Sequence, residues 1–116
     1  MKNPAQANPQ REENKAPRER IFTTEIIVWQ GTAVRVKYEP NWLGGTNTAH
    51  LELDVLDPEG APLPVTDTGY RSHFLCCGIV EECGGPLAYV QRWLDEAARS
   101  PTWRNALARW NQLSLF

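Results

Sequence analysis

The chain has 116 residues, 41% of them hydrophobic and five of them Trp, which is enough for one domain with a modest core. No apolar run approaches the roughly 18 residues of a membrane span, and MKNPAQANPQREENKAPRER at the start has no apolar centre of a signal peptide, so a cytoplasmic protein with no membrane contact is predicted. The formal charge of −2 is uneven, with seven acidic residues against Arg71 alone between His50 and Cys83, and this argues against a body that holds nucleic acid through its phosphates.

Residues 1–20 contain three prolines, no aromatic residue and no periodic apolar pattern, and read as a disordered arm. Order is predicted to begin at IFTTEIIVWQ, where Ile21, Phe22, Ile26, Ile27, Val28 and Trp29 supply the content of a strand. Gln30-Gly31 breaks that run. TAVRVKYEP then alternates Val34, Val36 and Tyr38 against Arg35, Lys37 and Glu39, as a strand with one wet face does, and the two strands form an antiparallel hairpin. After Pro40, NWLGGTN reads as loop. AHLELDVLDPEG is a third strand, with Leu51, Leu53 and Val55 opposite His50, Glu52 and Asp54, closed by a turn at Asp57-Pro58-Glu59-Gly60.

APLPVTDTGYRSHFLCCG has no sustained period, although Leu63, Val65, Phe74 and Leu75 offer anchors or a short edge strand, and IVEECGG reads as one helical turn stopped by Gly84 and Gly85. Pro86 suits a first helical position, and Leu87, Val90, Leu94 and Ala97 recur at helical spacing beside Trp93. Ser100 and Pro101 then serve as cap and first residue of a second helix that runs to about Trp110 and buries Trp103, Ala106, Leu107 and Trp110. The fold class is therefore α+β: over residues 21–110, a small antiparallel sheet of three to four strands followed by two C-terminal helices packed on one face.

Two clusters carry candidate chemistry. Thr68, Tyr70, Arg71, Ser72 and His73 gather around Gly69 and form a candidate ligand site, able to cradle an anion or supply a general base, although polar loop residues bonding their own backbone explain the same letters. His73, Cys76, Cys77 and Cys83 are four candidate zinc ligands within eleven residues, but their spacing lacks the second knuckle of a structural site. Ordinary reduced thiols, with no metal and no other cofactor, are the expectation. A thiol hydrolase built from Cys76 or Cys77 with His50 or His73 has no further catalytic residue marked at a fixed spacing.

The tail, 111–116, poses the sharper question, because Leu113, Leu115 and Phe116 stand where termini are usually frayed and polar. They either pack back on the domain as a last strand or groove cover, or are held out for another protein to bury. Gln112, Leu113, Ser114, Leu115 and Phe116 resemble, at every position, the pentapeptide by which many bacterial DNA polymerases, mismatch-repair proteins and replication regulators dock on the β sliding clamp. Average residue usage makes such a match a matter of about two chances in a thousand for a chain of this length. The resemblance implies that Gln112 hydrogen-bonds in one subsite of the clamp, that Leu113 enters an apolar cleft, and that Leu115 with Phe116 fills a deeper pocket. With no residue after it, the motif is expected to be free to enter that pocket.

The body, especially TGYRSHF and LDEAARSPTW, resembles small uncharacterised proteins that accompany plasmids and integrative elements in proteobacteria. Together these readings predict a non-enzymatic adaptor or modulator that binds the β sliding clamp through 112–116 and either presents its body to a second protein partner or blocks other clamp clients. The alternative is a small ligand-binding domain or enzyme with its site around Tyr70, Arg71 and His73.

Overall fold

A computed structural model describes residues 21–113. The predicted disordered arm and, in the tail, Ser114, Leu115 and Phe116 lie outside the described residues.

Four strands form one antiparallel sheet in sequence order: β1 (Thr23–Trp29), β2 (Thr32–Leu43), β3 (Thr48–Asp57) and β4 (Tyr70–Cys76). The β1–β2 hairpin turns on Gln30 and Gly31, whose φ angles of 47° and 82° are the two positive values that a two-residue primed turn requires and that glycine adopts without strain. Alternation along the strands then sorts side chains by face. Val34, Val36 and Tyr38 of β2 and Ala49, Leu51 and Leu53 of β3 are buried, whereas Arg35 and Asp54 pair at 3.5 Å on the opposite face.

Three helices cover the buried face: α1 (Cys77–Glu82), α2 (Pro86–Ala97) and α3 (Pro101–Leu113). The α1 helix stops where Gly84 and Gly85 take φ values of 101° and 113°, the Gly85 amide donating back to the Val80 carbonyl. Pro86 opens α2, and Ser100 caps α3 by accepting the Trp103 amide at 3.2 Å. Val80, Val90 and Leu94 meet Val34, Val36, Leu51 and Leu53 in the core, all fully buried. Each such aliphatic side chain contributes about 1.5 to 3 kcal/mol when removed from water. Trp29 and Trp103 pack at 5.5 Å between ring centroids, tying the end of β1 to the first turn of α3, and Trp29 Nε1 donates to Asp95 Oδ1 at 2.9 Å.

The predicted α+β architecture is present, with differences in detail. The β2 strand does not stop at Pro40 but continues to Leu43, its register shifting between Glu39 and Leu43, so proline sits at an irregularity where its missing N–H breaks no ladder bond. The predicted loop shrinks to the turn after Leu43, where Asn47 has a φ of 62°. The aperiodic stretch contains a whole strand, β4, whose pairing with β3 no local pattern announces. Finally, α3 extends past Trp110 to Leu113, so Gln112 and Leu113, assigned to the tail from sequence, lie in its last turn.

Candidate functional site

The five residues proposed for a ligand site do not share one surface. Thr68 belongs to the turn before β4, where its Oγ1 donates to the Tyr70 carbonyl at 3.2 Å and Thr66 Oγ1 donates to the same oxygen at 2.8 Å. Because side chains alternate along β4, Arg71 and His73 stand on the helix-covered face with Leu51 and Leu53, while Tyr70 and Ser72 stand on the open face with Asp54 and Glu52.

On the covered face, Arg71 donates from Nη1 to the Val65 carbonyl at 3.0 Å, and its guanidinium lies 5.6 Å from the Trp93 ring centroid. His73 packs on Trp93 at 4.4 Å, with its Nε2 3.3 Å from the Tyr89 hydroxyl. Burial, and then the Arg71 charge, push the His73 pKa below the usual imidazole range. Burial, followed by Cys83 and Glu96, pushes the Tyr89 phenol up, so Tyr89 keeps its proton and can donate to a neutral His73. Tyr89 and Trp93, one helical turn apart on α2, are site residues that the sequence reading passed over; their spacing beside a β4 histidine was the available signal. Both also line a cleft of about 470 Å³ between α1 and α2, together with Ile79, Glu82, Cys83 and Arg92.

On the open face, Ser72 Oγ and His50 Nε2 are 2.6 Å apart. Glu52 Oε2 lies 3.6 Å from His50 Nδ1, too long for a hydrogen bond that would fix the tautomer. Phe74 stacks on His50 at 4.4 Å, and Trp42 meets Phe74 edge-on at 4.7 Å. A serine hydroxyl beside an imidazole can exchange a proton with it, but here the imidazole is packed under two aromatic rings and the pair acts as a cross-strand tie. His50 and His73 thus face opposite ways, each held by a neighbour of its own.

The three cysteines are free thiols: Cys76 is exposed at the end of β4, Cys77 opens α1, and Cys83 follows that helix with its Sγ 3.9 Å from Arg92 Nη1. Among the described residues, no three His, Cys, Asp or Glu side chains gather in a way that could hold a metal ion. His73, committed to Tyr89 and Trp93, is separated by strand alternation from the exposed Cys76.

In the first half of the clamp-like pentapeptide, Leu113 is 64% exposed and Gln112 is exposed beside it. Leu113 edges a groove of about 380 Å³ lined by Gly60, Pro62, Asp67, Ala106, Arg109 and Trp110. No helix among the described residues is long and apolar enough to cross a membrane.

Comparison with curated proteins and with solved structures finds no match. A family match spans residues 22–103, which take in the whole sheet, α1, α2 and α3 as far as Trp103 and leave 112–116 outside. The chain belongs to the family described as KlcB third domain.

Proposed function

We propose that this chain is a non-enzymatic adaptor of a plasmid or mobile element that docks on the bacterial DNA polymerase β sliding clamp through Gln112, Leu113, Ser114, Leu115 and Phe116, and presents its α+β body to a second protein. The observation that carries the proposal is the match of all five residues to the clamp-docking pentapeptide. Membership of the KlcB third domain family is in keeping with a plasmid-associated protein.

The energetics suit a weak, exchangeable contact. Gln112 and Leu113 must leave the last turn of α3 to lie extended in a cleft, which exchanges the helical hydrogen bonds of their amides for bonds to water or to the clamp, while their carbonyls, in the last turn, have no intrahelical partner to lose. Ordering a flexible peptide costs about 1 to 2 kcal/mol per residue, and burying Leu113, Leu115 and Phe116 returns about 1.5 to 3 kcal/mol each, so the two terms nearly cancel and a weak contact, micromolar or looser, is expected. The non-enzymatic part of the reading is supported by the division of the polar candidates between two faces of the sheet.

The test is capture of purified clamp by the full chain and by a chain lacking 112–116. Deletion should abolish capture while changing the unfolding free energy by less than about 1 kcal/mol, since exposed end residues contribute little to a fold. Unchanged capture by the shortened chain would overturn the proposal.

A further inference from the structure

The groove beside Leu113 is built from two parts of the chain. From α3 it takes Ala106, Trp110 and Leu113, whose spacing of four and then three residues puts them on one side of the helix. From the segment between β3 and β4 it takes Gly60 and Pro62. Arg109 and Asp67 are the charged residues of the lining, and neither makes an ion pair among the described residues. The apolar part is open to water, since Leu113 is 64% exposed and Trp110, Ala106 and Pro62 are each only half-buried. Its volume of about 380 Å³ lies within the range of about 300 to 1,000 Å³ found for pockets that admit small molecules.

The chain itself supplies an occupant. Leu113 is both the last described residue and part of the lining, so Ser114, Leu115 and Phe116 set out from the edge of the groove. Three residues of extended chain span at most about 10 Å. Along a helix that rises about 1.5 Å per residue, Trp110 lies about 4.5 Å behind Leu113 and Ala106 about 10.5 Å behind it. A chain that turns back on α3 therefore brings Leu115 to the level of Trp110 and the Phe116 ring toward Ala106. We infer that residues 114–116 fold back into this groove, with Leu115 and Phe116 against Trp110, Ala106 and Pro62, and that the chain exchanges between this closed form and an open one.

Tethering favours this occupant over any other. A short linker holds its ligand at an effective concentration in the millimolar range, which a separate partner or a second copy at micromolar concentration must exceed by affinity alone. The closed form covers Leu115 and Phe116, the pair that enters the deeper clamp pocket, so the contact restrains clamp docking. That consequence rests on the clamp proposal, whereas the contact itself does not. The restraint is also bounded. If 112–116 contribute less than about 1 kcal/mol to the fold, the open form keeps at least about one-fifth of the population, and clamp binding is weakened about fivefold at most.

The test is solution NMR of the full chain. Nuclear Overhauser cross-peaks between the Phe116 ring and the Ala106 methyl group are expected, with relative intensities unchanged on tenfold dilution. Their absence would overturn the inference, and their loss on dilution would do so too, by giving the groove to the tail of a second copy. Trp110→Ala, which removes the indole from the lining, should cut the cross-peaks by at least about half; cross-peaks of undiminished intensity would refute the contact. Should that variant fail to fold, Pro62→Asp on the facing wall takes its place. With purified clamp, the Trp110→Ala chain should bind about two- to fivefold more tightly than the parent chain, and equal affinity would overturn the restraint. If neither chain nor the free pentapeptide binds clamp, the clamp proposal falls and the restraint with it, while the cross-peaks still decide the contact.

Discussion

Trp103 and Leu113 stand on the same helix, yet Trp103 is 6% exposed and Leu113 is 64% exposed. The first turn of α3 is capped by Ser100 and clamped by the Trp29–Trp103 contact, with Trp29 held in turn by Asp95 of α2. In the last turn, Asn111, Gln112 and Leu113 are all exposed, and Trp110 is the last side chain that is even half-buried. One helix thus joins an anchored end, made by cross-element packing, to an end that burial does not hold. The difference teaches how the helix's hold on the fold weakens along its length: the family match ends at Trp103, the last buried residue of α3, and beyond it Ala106, Leu107 and Trp110 are only half-buried.

The contrast predicts unequal costs of substitution. Trp103→Ala should destabilise by about 3 to 5 kcal/mol, the range for emptying a buried aromatic site, whereas Trp110→Ala should cost about 1 kcal/mol or less. Denaturant unfolding of the two variants checks this, and similar losses for both would erase the distinction between the anchored and the exposed part of α3.

A smaller effect sharpens the anchored side. His73 lies beneath α2 against Trp93 and Tyr89, with Arg71 the charged group beside it, and its pKa is held below the usual imidazole value of about 6.5 by burial first and Arg71 second. A depressed pKa means that the unfolded chain binds the proton more readily. The contribution is therefore full above about pH 6.5 and is lost as pH falls through the lower, folded value. The melting temperature of the parent should fall more between pH 7.5 and pH 5.5 than that of His73→Gln. Parallel pH profiles for the two would show that His73 protonates without disturbing the helical layer.

The two ends of α3 were also unequally legible in the sequence. Apolar recurrence at Val90, Leu94 and Trp103, with Ser100-Pro101 between, announces both long helices because burial there follows the helical period. Beyond Trp110, burial no longer marks the residues, so periodicity loses the helix three residues before the chain does. β4 was legible only in part, as a short edge strand at Phe74 and Leu75: its inward residues are Arg71, His73 and Leu75, two of them polar, and only pairing with β3 makes the whole segment a strand. The candidate ligand residues are divided between two faces on that point. Residues 70–73 are neighbours in sequence, but a strand sends neighbours to opposite faces, and a loop reading could not foresee the separation. Trp42 was hidden in another way, since the Gly and Asn residues around it mark a turn, whereas Trp42 itself packs beyond Pro40 against Phe74 and His50.

What distinguishes a docking peptide from a merely apolar end is unequal tolerance along its five residues, so the most direct measurement is a titration of sliding clamp with the parent pentapeptide and three variants. Replacing Leu115 and Phe116 together by Ala should remove about 4 kcal/mol or more, taking a micromolar contact out of measurable range. Gln112→Ala should weaken binding by about 1 kcal/mol through loss of an amide hydrogen bond, and Ser114→Asp should bind like the parent. Equal affinity for all four peptides, or the greatest loss on Ser114→Asp, would contradict the proposal that residues 112–116 dock on the clamp.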